Sequence, residues 1–283
     1  MIFFKTLLLI TLSLPAFSQE LGTQNVQSPR AFEFITNLPK TWETFADETF
    51  QKDNANRLIT LGLLTAFLVA TDYESWKEFE RYHSNDNFIH NMNWHFVSMG
   101  DGYAQVALAG AFGLYGYLFS TDSRAQRTMS QTLEVILSTG AVVQIIKHIT
   151  GRESPVKATT RTGAWEPFPE QMRANSDIQK YDAVPSGHIA TFYATFLVVW
   201  DNYPEYKWIP YLGYPLTVLV SQALVATGLH WWSDIPLGLA LGHSFAKIVT
   251  RRNNRSEKES STVQFATVFL PDRPATLGLR WEW

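Results

Sequence analysis

The chain has 283 residues, 46% of them hydrophobic and 17% charged, with a formal net charge of −3 and no cysteine. The missing thiols exclude disulfides and thiolate or zinc-thiolate chemistry, and the slightly acidic balance gives no electrostatic footprint for nucleic acid. Apolar segments are numerous, yet the mean hydropathy is −0.10, so composition alone does not decide whether the helices lie in lipid or pack in water.

Residues 1–18 carry Lys5 near the front, an apolar run at 7–14 and the small residues Ala16 and Ser18, which reads as a secretory signal cleaved after Ser18. The run is too short to cross a bilayer, which takes about 20 apolar residues, so the mature chain is expected to be exported to the bacterial cell envelope. Residues 19–57 form a polar lead-in punctuated by Pro29 and Pro39, with one short amphipathic helix near 41–50. A continuous apolar run at 58–70 follows, suited to a buried helix or part of a span. Residues 72–93 are charged and aromatic. His83 and His90 lie there and His95 just beyond, without the carboxylate pattern of zinc-binding helices, which favours a solvated helix over a metal site. Gly100-Asp101-Gly102 then marks a helix boundary or a close approach of backbones.

An Ala- and Gly-rich apolar helix is expected at 103–119 and a second helix at 124–150, with Lys147 on its last turn. Residues 153–184 contain Pro155, Pro167 and Pro169 with little periodicity and read as a long functional loop. Apolar helices at 188–200, 208–227 and 233–250 follow. Residues 251–261 look like a charged linker, and 262–283 alternate apolar and polar residues around Pro271-Asp272-Arg273-Pro274, the pattern of a β-hairpin.

Three short blocks carry chemistry. In Pro185-Ser186-Gly187-His188 the glycine admits close approach of a bound group, the serine offers a hydroxyl and the histidine offers a proton near neutral pH. In Gly228-Leu229-His230-Trp231-Trp232-Ser233-Asp234, a helix would place His230 and Asp234 on one face, the carboxylate holding one imidazole nitrogen and leaving the other free to attack. Upstream stands Lys147-His148-Ile149-Thr150-Gly151-Arg152-Glu153-Ser154-Pro155. The bland readings are a turn at a helix start, a structural His–Asp pair and a snorkelling lysine. The ordered set of three is far more specific than any one block.

In order and spacing the three blocks resemble the type 2 phosphatidic acid phosphatase (PAP2) superfamily, which also contains vanadium haloperoxidases. Its pattern has a Lys followed at a distance by Arg-Pro, then Pro-Ser-Gly-His, then Ser-Arg followed by a His and an Asp four residues later. Lys147, Pro155, the tetrapeptide, His230 and Asp234 match, whereas Ser154 and the Ala223-Leu224 pair stand where the family has its two phosphate-clamping arginines. Arg152, two residues before the vacant position, is the expected replacement cation.

The resemblance implies an all-α, PAP2-like bundle of about six core helices over 58–250, followed by the C-terminal segment 251–283 with its hairpin. It implies a metal-independent phosphatase with no cofactor, acting on a phosphomonoester or pyrophosphate of a lipid through a phosphohistidine. His230 is then the nucleophile, Asp234 orients it and His188 protonates the leaving oxygen. Lys147, Arg152, Ser186 and the Gly187 amide hold phosphoryl oxygens. The expected partners are a phosphorylated lipid and a membrane, with the site facing the periplasm. The alternative is a PAP2-like pseudoenzyme, impaired by the missing arginines and serving as an envelope binding module; a vanadate-dependent haloperoxidase is disfavoured, since vanadate needs the same positive ligands.

Overall fold

The computed structural model describes residues 28–120, 123–170, 177–260, 264–268 and 276–280. The expected signal segment 1–18 lies outside the described residues. Helices dominate: α1 (Leu38–Thr49), α2 (Ala55–Asn85), α3 (Asn87–Gly100), α4 (Gly102–Leu118), α5 (Arg124–Thr150), α6 (Gly187–Asn202), α7 (Trp208–Ala226) and α8 (Asp234–Ser260).

Helix ends fall where the sequence carries stop signals. Asp86 breaks α2 from α3 and caps the latter, its carboxylate accepting the Phe88 and Ile89 amides at 2.8 and 3.0 Å. The apolar run at 58–70 and the charged stretch after it thus form one helix, because nothing between them interrupts the backbone pattern. Gly151 closes α5 in the left-handed conformation at φ 51°, which glycine adopts without strain.

α8 lies along α6, α5 packs on both α4 and α6, and α7 is flanked by α2 and α3. Small residues set the closest approach. A Cβ on Gly238 of α8 would stand 2.6 Å from Ile189 Cγ2 and 2.7 Å from the Ser186 carbonyl oxygen, so glycine there lets α8 lie directly on the first turn of α6. The core between them holds Ile189, Ala190, Ala194, Leu197, Val198, Phe245, Ala246 and Val249, all at or below 1% exposure; each large side chain buried this way contributes about 1.5–3 kcal/mol.

The expected linker at 251–261 is corrected: α8 runs on to Ser260, with neither Gly nor Pro to stop it. Its last described side chains tie it down, Arg251 to Glu48 at 2.7 Å and Arg252 to Glu134 at 2.6 Å. Residues Gln264–Val268 and Thr276–Arg280 pair as two antiparallel strands, and the turn expected at 271–274 lies outside the described residues.

Among the described residues, three helices are long and apolar enough to cross a membrane: Lys52–Asn85, Arg124–Thr150 and Trp208–Ala226. They present large apolar side chains outward, among them Leu63, Phe67, Ile145, Tyr211 and Leu212.

Candidate active site

Four chain segments converge at one end of the bundle: the last turn of α5, the first turn of α6, the turn between α7 and α8, and the start of α8. The N-termini of α6 and α8 are tied by the Ser186 amide donating to the Asp234 carbonyl at 3.1 Å. Two helix starts side by side aim amide groups and positive dipole ends at the same space. Ser186 is fully buried and its hydroxyl oxygen accepts the Ile189 amide at 3.4 Å, so it builds the helix start rather than facing a ligand. Gly187 follows at the first helical position. A Cβ there would stand 3.3 Å from Val143 Cγ1 and 3.9 Å from Lys147 Nζ, so the ammonium of Lys147 lies close against the bare backbone of Gly187.

Lys147 is 5% exposed and pairs with Asp182 at 3.3 Å. The His188 and His230 rings meet edge to face with centroids 5.6 Å apart, within reach of one phosphoryl group. Gly100, at the end of α3, makes room for His188, because a Cβ there would lie 3.1 Å from the His188 Cβ. The next residue, Asp101, holds His188 Nε2 at 3.1 Å. A carboxylate accepts, so the His188 proton sits on Nε2. Burial, then the neighbouring His230 and Lys147, push His188 down to about 4, against the opposing pull of Asp101. The imidazole is therefore neutral near pH 7.

His230 differs from expectation. It lies in a turn that precedes the helix, since α8 begins only at Asp234. The i,i+4 helical face therefore does not form, and His230 Nδ1 stands 3.6 Å from Asp234 Oδ2, too far for a good hydrogen bond. Its partner is the Ala183 carbonyl oxygen at 2.8 Å. A carbonyl only accepts, so the proton is on Nδ1 and Nε2 keeps its lone pair, the tautomer a nucleophile needs. Asp234 is fully buried and bonded elsewhere, Oδ2 accepting the Trp231 amide at 2.7 Å and Oδ1 accepting Arg152 Nη1 at 2.7 Å.

Arg152 is likewise not where a substitute clamp would stand. It is 0% exposed, and all five N–H donors are engaged. Nη1 reaches Ser233 Oγ at 2.6 Å and Asp234 Oδ1; Nη2 reaches Asp72 Oδ2 and the Thr162 carbonyl, both at 2.8 Å; Nε reaches Thr162 again at 3.2 Å. None remains for a phosphate oxygen. Ser154 is buried with an unpartnered hydroxyl, and Leu224 is buried among Val97, Ile189, Val220 and Ile235.

Sequence reasoning missed five groups at this end: Asp72, Asp101, Glu153, Asp182 and the Ala183 carbonyl. Asp101 had a signal, its place between two glycines. Asp72 is the first acid after an apolar run, which becomes informative only once α2 is known to pass Arg152. Glu153 organises the long loop: its carboxylate accepts the Thr159 amide at 2.7 Å and the Ala164 amide at 3.0 Å. Burial alone would raise its carboxyl, but these bonds hold it below the ordinary value. Among the described residues no group of three or more His, Asp or Glu side chains is placed to hold a metal ion, and the scattered histidines of α2 and α3 are no exception: His83 and His90 stack on each other at 4.4 Å.

A search of curated proteins gives no match. Among solved structures, the chain is similar to a transmembrane PAP2-type phosphatidylglycerolphosphate phosphatase from Bacillus subtilis, at 15% identity and a TM-score of 0.51, over 70% of this chain and 96% of that one. That likeness is one of fold. Residues 128–258, which hold Lys147, the Pro185–His188 turn, His230 and Asp234, match the PAP2 superfamily model. Over these residues, and in its fold, the chain is similar to the PAP2 superfamily.

Proposed function

We propose that the chain is a membrane-associated, metal-independent phosphatase that hydrolyses a phosphomonoester or pyrophosphate of a lipid. The observation that carries this reading is the pair of imidazoles, 5.6 Å apart between centroids, beside the buried Lys147 ammonium at two joined helix starts. His230 Nε2 attacks phosphorus, the P–N bond forming as the bond to the lipid oxygen breaks. His188, in its imidazolium form, gives a proton to that leaving oxygen and returns to the neutral ring. His188 then takes a proton from water, which attacks phosphorus, breaks the P–N bond and releases inorganic phosphate with His230 restored. Lys147 and the Gly187 amide hold the non-bridging oxygens as charge develops on them. Ser186 serves by shaping the helix start, and Arg152 and Asp234 by fixing the turn that carries His230. No ligand in this scheme requires a metal or cofactor.

In this reading the site lies at one face of the membrane, supported by the helices long and apolar enough to cross it, and the signal-like sequence of residues 1–18 supports an exported, periplasmic side for that face. Its substrate is then a lipid phosphate reached from that surface. Phosphate release from a phosphatidate in detergent micelles tests the reading: the wild type is expected to turn over, and His230→Ala is expected to lose activity. Release undiminished in His230→Ala overturns it.

The pseudoenzyme reading draws on one observation, that Leu224 and Arg152 leave Lys147 as the only buried described cation at the paired imidazoles. Its signature is binding of the phosphorylated lipid with no release of phosphate by the wild type.

A further inference from the structure

The carbonyl that holds His230 is itself held. The Ala183 amide donates to the Arg152 carbonyl at 3.1 Å, and the Arg152 side chain is anchored in a dry network whose far member is Asp72 on α2. Asp72 is 0% exposed and lies outside the matched span 128–258. Its Oδ2 accepts Arg152 Nη2 at 2.8 Å and the Ser233 hydroxyl at 2.5 Å, while Oδ1 accepts the Ser233 amide at 3.1 Å. The network thus grips the His230 turn from both sides, through Arg152 and Ala183 before it and through Ser233, Asp234 and Trp231 after it.

A carboxylate beside a buried guanidinium could serve only to neutralise it. Here, however, Asp234 already supplies one negative charge to Arg152 at 2.7 Å, and a second carboxylate brought in from a distant helix ends on the residue adjoining Asp234. The orienting role expected of Asp234 falls instead on the Ala183 carbonyl, whose position depends on Arg152. We infer that Asp72 is a positioning residue for His230: acting through Arg152 and Ala183, it keeps the ring as the Nδ1–H tautomer with Nε2 unprotonated. The inference rests on the reading of His230 as the nucleophile, but its primary test does not require turnover.

The experiment uses the full chain in detergent micelles with ¹⁵N-labelled histidine, the His230 ring signals being assigned by their loss in His230→Ala. The variants are Asp72→Asn and Asp72→Ser, each of which leaves Arg152 paired with Asp234, the second covering the case in which Asp72→Asn fails to fold. The wild type is expected to show a single Nδ1–H tautomer. Both variants are expected to show mixed tautomers at His230, with kcat on a phosphatidate lowered about 10- to 100-fold and KM within about twofold. An intact Nδ1–H tautomer in either folded variant overturns the inference, as does failure of both to fold, which makes Asp72 a structural residue only. A wild type that orders the ring but releases no phosphate overturns the phosphatase reading and leaves the positioning role standing.

Discussion

Among the described residues, two arginine networks at opposite ends of the bundle do different work. At the site end, Arg152 is 0% exposed, lies between Asp72 and Asp234, and reaches the turn that carries His230. At the other, Arg252 binds Glu134 through two bonds of 2.7 and 2.6 Å and the Thr41 hydroxyl at 2.5 Å, joining α8, α5 and α1. Glu134 lies 13 residues before Lys147 on α5, roughly 20 Å along the helix. The Arg252 side chain keeps 18% exposure, and its carboxylate has other donors, Thr41 at 2.6 Å and Asn37 at 3.4 Å. The same guanidinium–carboxylate chemistry therefore gives an indispensable lock where every partner is dry and a replaceable clasp where one side is wet.

The largest expected effect comes from breaking the dry lock. Arg152→Ala leaves the Asp72 and Asp234 carboxylates buried together without a cation, which costs about 3–5 kcal/mol and, by freeing Ala183 and the His230 turn, removes most phosphatase activity. Denaturant titration and kcat/KM on a phosphatidate would check both; a stable, active Arg152→Ala would make the two networks equivalent.

Next comes an arginine placed where no carboxylate waits. The family pattern invites Leu224→Arg as a gain of phosphate affinity, but Leu224 is 0% exposed in an apolar cluster. Burying an unpaired guanidinium there is expected to destabilise the fold by about 2–4 kcal/mol and to lower activity, measurable as a fall in Tm. A rise in kcat/KM would show that the side chain had found its way to the site.

Arg252→Ala is expected to cost less, about 1–3 kcal/mol, because Thr41 and Asn37 still donate to Glu134. Activity per folded molecule should be unchanged. A fall in kcat/KM at constant Tm would mean that the two ends of the bundle are coupled.

The smallest effect is a shift along the pH axis. His188 is held at about 4 in the free protein, below the ordinary value near 6.5. Its proton-donating form is lost as pH rises through 4, so the corresponding limb of kcat/KM falls towards alkali. Asp101→Asn removes a group that raises His188 and should move this limb to lower pH. The stability sign is opposite: between about pH 6.5 and 4 the unfolded chain binds the His188 proton and the folded chain does not, so this contribution is complete above 6.5 and lost on acidification. A limb unmoved by Asp101→Asn would assign the titration to another group.

Much of the site could be read from spacing, because Lys147, His188 and His230 are recognised as residue types at fixed intervals, and helix ends follow local rules. The same rules gave the helices 124–150, 188–200 and 208–227 to within one or two residues. Two errors have one cause. Spacing pairs Asp234 with His230 only if a helix runs through both, and it offers Arg152 to the ligand because Arg152 stands two residues before the vacant family position. Each assignment used distance along the chain, whereas the actual partners, Ala183 and Asp72, lie 47 and 80 residues away.

The sequence by itself determined which side chains can do the chemistry and that helices carry them, since residue type, apolar periodicity and capping are local properties. Tertiary structure decided who holds whom. Only when α2 passes the start of α8 does a lone aspartate meet a buried guanidinium, and only when the loop folds back on the α5 end does a backbone carbonyl reach His230. Desolvation then fixes those pairings, because a charge or a hydrogen-bond donor removed from water must take the partner that packing places beside it.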